Sequence, residues 1–205
     1  MATQLESARA GIITGEMKKA VEKEPISPEQ LRDLIAAGLA VLPRNVNHSF
    51  ADPRAIGKNL KTKVNANLGT SGECCSMVLE KEKLDAALRA GADSIMDLST
   101  GEDLPAFRNF FLENSPVMVG AVPIYWVATE MMHKHRSLDT MGADELMRSI
   151  EQQCSEGIDY NGALRGDPGI GKKTGVIRTY NALREPGRLD SHELDAQKRH
   201  AKPAL

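Results

Sequence analysis

The chain has 205 residues, of which 41% are hydrophobic and 26% charged, a composition of soluble globular domains rather than of disordered or fibrous chains. Its 26 basic and 28 acidic side chains leave a formal net charge of −2, so there is no basic footprint for nucleic acid or an anionic membrane. No apolar run approaches the roughly 20 residues of a bilayer span, and the opening MATQLESARAGIITGEM lacks a charged segment followed by an apolar one, so a cytoplasmic protein is expected.

The first well-marked element is SPEQLRDLIAAGL. Ser27 is its N-cap, Pro28 takes the first helical position, Gln30 closes a capping box and Gly38 ends the helix, with Leu31, Leu34 and Ile35 on the apolar face. PRNVNH follows, and its Arg44, Asn45, Asn47 and His48 serve a site or a barrel floor, or else form a solvated loop. KTKVNANLG, DSIMDLST and VMVGAVPIY are then apolar runs of strand length, each followed by helical periodicity. Leu84, Ala87, Leu88 and Gly91 mark one such helix. Leu146, Ile150, Gln153 and Gly157 mark another, with Cys154 beside its buried face, and a fourth strand, GIDY, comes next. Strands alternating with helices predict an α/β fold of βα units around a parallel sheet.

Asn67, Met96 and Tyr125 are separated by 29 and again 29 residues, one βα unit per step, on strands whose C-terminal ends would converge on a ligand in a parallel barrel. Asn65 and Asn67 share one strand face where an apolar core would take Val or Ile; they either recognise a polar, nitrogen-rich small molecule or satisfy loop backbone. Asp97, Ser99 and Thr100 of MDLSTG bind phosphate or cap the following helix, and in isolation capping is the commoner role. Pro123 is expected to close the third strand with the Tyr125 phenol at its rim, as a substrate hydrogen bond or an ordinary half-buried aromatic. His133 and His135, two apart on a predicted helix, point to different sides and fit a solvated helix end better than a metal site. Three cysteines, Cys74, Cys75 and Cys154, cannot make a disulfide framework or a four-thiolate site, and the adjacent pair has poor geometry for chelation.

The end of the chain differs in composition. Residues 1–160 carry a net charge of −6 and residues 161–205 a net +4, with 6 Gly and 3 Pro in the latter. Gly166 to Lys172 matches the phosphate-loop pattern G-x-x-x-x-G-K, but Lys173 follows it and Thr174 comes one place late for a magnesium-binding hydroxyl. A nucleotide-binding role is therefore the outside alternative.

Taken in order and spacing, TQLESARAGIITGEM, LPRNVNH, KTKVNANLGTS, GADSIMDLSTGEDL, NSPVMVGAVPIY and EQQCSEGIDY closely resemble the phosphomethylpyrimidine synthase family of thiamine biosynthesis, from about residue 3 to Tyr160. The resemblance implies an N-terminal helical segment over 1–50, the first half of a (βα)8 barrel over 51–160 (about four βα units), and an irregular tail foreign to the family over 161–205. It implies a radical S-adenosylmethionine carbon–carbon lyase with a 4Fe-4S cluster and zinc, converting 5-aminoimidazole ribonucleotide to 4-amino-5-hydroxymethyl-2-methylpyrimidine phosphate. The residues it places against that ribonucleotide are Asn67, Met96 and Tyr125; a homo-oligomer is left open.

Leu164 stands where the family carries a His, and the family's Ser-Arg-Gly and Asp-Gly-Leu-Arg phosphate motifs, its two zinc-binding histidines and its Cys-x-x-Cys-x-x-x-x-Cys cluster motif are absent from the chain. Without a cluster there is no route to the 5′-deoxyadenosyl radical, so this chain is expected to be truncated and inactive alone. Codons chosen for Glu185 to Leu205 and read one base later permit S-R-G-G-L-I-L-M-S-W-M-L-K-N-G-T-R-N-P-L, similar to the family's continuation. The same offset from Asn161 permits M-A-L-C-G-V-T-R-E, so the tail is expected to be frameshifted. The alternatives are the paralogous 5-hydroxybenzimidazole synthase, which makes a cobamide lower ligand from the same ribonucleotide, and a non-catalytic fragment.

Overall fold

The structure, a computed structural model, describes residues 2–165 and 174–179. Three short helices open it: α1 (Gln4–Arg9), α2 (Gly15–Ala20) and α3 (Pro28–Ala36). Each begins at a hydroxyl cap, Thr3, Thr14 and Ser27 accepting from the backbone N–H three residues on. Helices this short do not persist alone in water. They are held by a shared core of Met17, Leu31, Ile35 and Leu42 with Ala8, Ala20 and Ala55. That core extends past residue 50 because β1 (Ala40–Val41) pairs antiparallel with β2 (Ile56–Gly57).

The capping box predicted for α3 is present: the Gln30 N–H donates to Ser27 Oγ at 3.2 Å and the Ser27 N–H to Gln30 Oε1 at 2.8 Å. Ser27→Ala is expected to lower stability by about 1 kcal/mol, seen as a lower urea midpoint at unchanged slope.

The larger unit runs β3 (Asn65–Leu68), α4 (Met77–Arg89), β4 (Ser94–Asp97), α5 (Leu104–Asn114), β5 (Met118–Ala121), α6 (Pro123–His133), α7 (Ala143–Glu156) and β6 (Tyr160–Arg165). The four strands lie side by side in chain order and parallel, each step bridged by helix because a parallel pair needs a crossover. Strand alternation sorts two faces. Ala66, Leu68, Ile95, Val119 and Ala121 pack with Leu84, Phe111 and Leu112 on the helix side. Met96, Met118, Val122 and Tyr160 form the opposite face, with Phe50 against them.

Two sequence expectations are corrected here. The run VMVGAVPIY is not one strand: β5 ends at Ala121, and Pro123 opens α6 instead of closing a strand, which places Tyr125 in the first turn of that helix. Proline's preset φ and missing N–H suit the first helical position. A further strand, β7 (Thr174–Thr179), pairs antiparallel with β6 with Tyr160 opposite Thr179, an addition that βα alternation does not predict. The phosphate-loop-like stretch up to Lys173, and residues 180–205 of the predicted frameshifted tail, lie outside the described residues. Among the described residues no helix is long and apolar enough to cross a membrane.

Candidate functional site at the strand ends

The parallel register sets Asn67 opposite Met96, Met96 opposite Gly120 and Gly120 opposite Tyr160, one row across the face turned away from the helices. Asn67 is exposed at the end of β3, whereas Met96 is 5% exposed and its thioether belongs to the apolar cluster with Met118, Val122 and Tyr160. Tyr125 reaches the same cluster from α6, half-buried against it. The structure thus sets Asn67 beside Met96 by strand pairing, while Tyr125 packs from α6 against the cluster that contains Met96 and shares a cavity with Asp97, Ser99 and Arg108.

Sequence spacing missed the members between them. The third step of the row is Gly120, not Tyr125, and the missing side chain makes room for Tyr160: a Cβ on Gly120 would stand 2.4 Å from Cε2 and Cζ of that ring. Tyr160 lies across the face, 1% exposed, and its hydroxyl donates to Asn65 Oδ1 at 2.8 Å. Burial pushes the phenol pKa well above its usual range, so it stays a neutral donor. Asn65 Oδ1 also accepts from Ser94 Oγ at 2.8 Å, and Asn65 Nδ2 donates to Asn67 Oδ1 at 2.8 Å. The available signal was a glycine inside an apolar strand, which marks close approach of another group.

Ser99 and Thr100 of MDLSTG do not cap the following helix, and they take a structural role. The N-cap of α5 is Asp103, in a left-handed conformation with φ of 51°, so Ser99 and Thr100 are not its caps. Instead they bind the loop after β4 to the loop after β3. Ser99 Oγ accepts from the Thr70 N–H at 3.2 Å, Asp97 Oδ1 accepts from the Ser99 N–H at 2.9 Å, and the Thr100 N–H donates to the Thr70 carbonyl at 2.8 Å. The approach needs Gly69, whose φ is 137° and whose added Cβ would meet the Ser99 nitrogen at 2.5 Å. Asp97 faces the helices, and burial pushes its carboxyl up against the opposing pull of Ser99 and Arg108.

Arg108, 2% exposed, ion-pairs with Glu156 and lies 4.2 Å over the Trp126 ring, tying α5 to α6 and α7 beside Tyr125. At the opposite, amino-terminal end of the strands the PRNVNH loop forms a floor. Asn45 donates its N–H to Asp159 Oδ1 at 2.8 Å and its amide to the carbonyls of Cys154 and Ile158 at 2.7 and 2.9 Å. His48 Nδ1 meets Asp159 Oδ2 at 2.7 Å. Of the readings open for this loop, the structure supports a floor rather than a solvated connector.

His133 and His135 are exposed at the end of α6, and Cys74 and Cys75 are exposed in the loop before α4. Cys154 is half-buried in α7, its thiol pushed up by burial to about 11. Among the described residues no group of three or more His, Cys, Asp or Glu is placed to hold a metal ion.

Parallel βα units in chain order, with polar groups at the carboxyl ends of the strands, define an α/β protein. The radical SAM ThiC family profile matches residues 3–164, and the chain belongs to that family. It is 46% identical over 188 residues to a phosphomethylpyrimidine synthase of Desulfitobacterium hafniense, covering 91% of this chain and 41% of that relative. It is 48% identical over 158 residues to the synthase of Desulforamulus reducens and 44% identical over 158 to that of Thermococcus gammatolerans, in each case 77% of this chain and 37% of the relative. The chain therefore spans about two fifths of the length of these curated relatives, and the first match necessarily reaches beyond residue 160.

Proposed function

We propose that this chain carries the substrate-binding half of a phosphomethylpyrimidine synthase and holds 5-aminoimidazole ribonucleotide at Asn67, Met96 and Tyr125. The reading is supported by the pairing of Asn67 with Met96 on adjacent strands and by Tyr125 packing against the apolar cluster that contains Met96. An exposed amide and a phenol orient a polar imidazole nucleotide, while a thioether packs against its ring. The relatives are named for a phosphomethylpyrimidine product, and the ribonucleotide substrate is what the sequence resemblance implies.

The family implies S-adenosylmethionine and an iron–sulfur cluster, with zinc expected from the sequence resemblance. The residues here do not fit those metal groups: two thiols are exposed neighbours, the third is half-buried with a raised pKa, and no metal-holding cluster forms among the described residues. No radical step is assigned to this chain, which we propose binds the ribonucleotide and does not turn it over alone, as a cytoplasmic protein. The frameshifted tail belongs to the same proposal: the family profile ends at residue 164, whereas the alignment with the Desulfitobacterium hafniense synthase covers 91% of this chain and so runs well past that residue; the nucleotide sequence of codons 161–205 must permit the shifted reading, or that part is wrong.

Isothermal titration of the 205-residue chain with 5-aminoimidazole ribonucleotide tests the binding role. Saturable binding, weakened about tenfold by Asn67→Ala through loss of a hydrogen bond, is the expected result. Absence of binding by the folded, unsubstituted chain contradicts it.

A further inference from the structure

The carboxamide of Asn67 is not free to choose which end it presents. Asn65 Oδ1 takes protons from two hydroxyls, Tyr160 Oη and Ser94 Oγ, both at 2.8 Å, and this leaves its Nδ2 as the group directed at Asn67. The Ile95 carbonyl, at 3.2 Å, is the longer alternative for the phenol proton. Asn67 must then accept through Oδ1, as it does at 2.8 Å, and both hydrogens of its Nδ2 remain for whatever occupies the strand end. Tyr160 is itself fixed, buried over Gly120 where no side chain competes for the space.

We propose that Asn65, anchored by Tyr160 and Ser94, is a positioning residue that sets the polarity of Asn67, so that the site selects a ligand presenting a hydrogen-bond acceptor at the end of β3. The inference deepens, and rests on, the assignment of Asn67 as a ribonucleotide contact. Its sharpest consequence concerns Asn65→Asp. A carboxylate at 65 still accepts from both hydroxyls but has no proton for Asn67, which must turn its Nδ2 inward and present Oδ1 to the ligand. Acceptor then faces acceptor.

The test uses the full 205-residue chain with two readouts. Side-chain amide NMR reads the relay without ligand: in the unsubstituted chain one Asn65 Nδ2 proton is protected from exchange and those of Asn67 are not, Tyr160→Phe weakens that protection, and Asn65→Asp transfers it to Asn67. Titration with 5-aminoimidazole ribonucleotide reads its consequence, with binding weakened about 10- to 100-fold in Asn65→Asp and an unchanged melting temperature. If Asn67 rather than Asn65 is protected in the unsubstituted chain, or if Asn65→Asp binds as tightly as it does, the polarity assignment is overturned. If the unsubstituted chain shows the predicted protection but binds no ribonucleotide, the relay stands and the proposed substrate falls.

Discussion

Asp159→Ala is expected to destabilise the protein by about 3–5 kcal/mol, since removing its carboxyl strands several hydrogen-bond donors at about 1–3 kcal/mol each. Its side chain is fully buried and accepts from three donors: the Asn45 N–H at 2.8 Å, the Val119 N–H at 2.8 Å and His48 Nδ1 at 2.7 Å. These donors come from the floor loop, from β5 and from a histidine that is itself 4% exposed, so the substitution leaves two buried donors and the half-buried Asn45 N–H without their acceptor. Burial raises the Asp159 pKa, and the His48 contact and the two backbone N–H groups oppose that rise. The measurement is urea unfolding together with amide hydrogen exchange. Loss of protection at Asn45 and Val119 accompanies the fall in stability, whereas a loss below about 1 kcal/mol, the worth of one ordinary hydrogen bond, would deny the residue its role as the clamp between loop and sheet.

Gly120→Ala has the second largest expected effect. The new methyl would stand 2.4 Å from two ring atoms of Tyr160, in a face where the ring is 1% exposed and has no slack. Overpacking of this kind costs about 1–3 kcal/mol, and it also drags the phenol away from Asn65. Tyr160→Phe, which keeps the ring and deletes the hydroxyl, is expected to cost about 1 kcal/mol. Urea unfolding of the two variants separates the space the ring needs from the bond its hydroxyl makes; equal losses would mean that the contact over Gly120 does not constrain the ring.

The parallel sheet was legible because short apolar runs of strand length, each followed by helical periodicity, repeat along the chain up to residue 160, and each signal is local. Asn67 stood out as an amide on a strand face and Met96 by its 29-residue spacing from it; what the structure adds is the pairing of their strands. Tyr125 was put in the wrong element, because a continuous apolar run does not by itself separate a strand from the start of a buried helix. The actual boundary is the proline at 123, which opens α6. Tyr160 and Arg108 were not legible as site neighbours. Their partners, Asn65 at 95 residues' distance and Glu156 at 48, are set by the crossovers and not by any local spacing. Ser99 and Thr100 were read as phosphate ligands or helix caps, and their bonding to the loop after β3 was not legible for a similar reason: their partner is Thr70, one βα unit earlier.

The most direct measurement is a methyl and side-chain amide NMR titration of the chain with 5-aminoimidazole ribonucleotide, following its nine methionines alongside its asparagines. The Met96 methyl and the Asn67 amide should shift together and saturate at one ligand concentration, with smaller changes at Met118 in the same cluster. Saturable shifts confined to other methionines, with Met96 and Asn67 unmoved, would contradict the site.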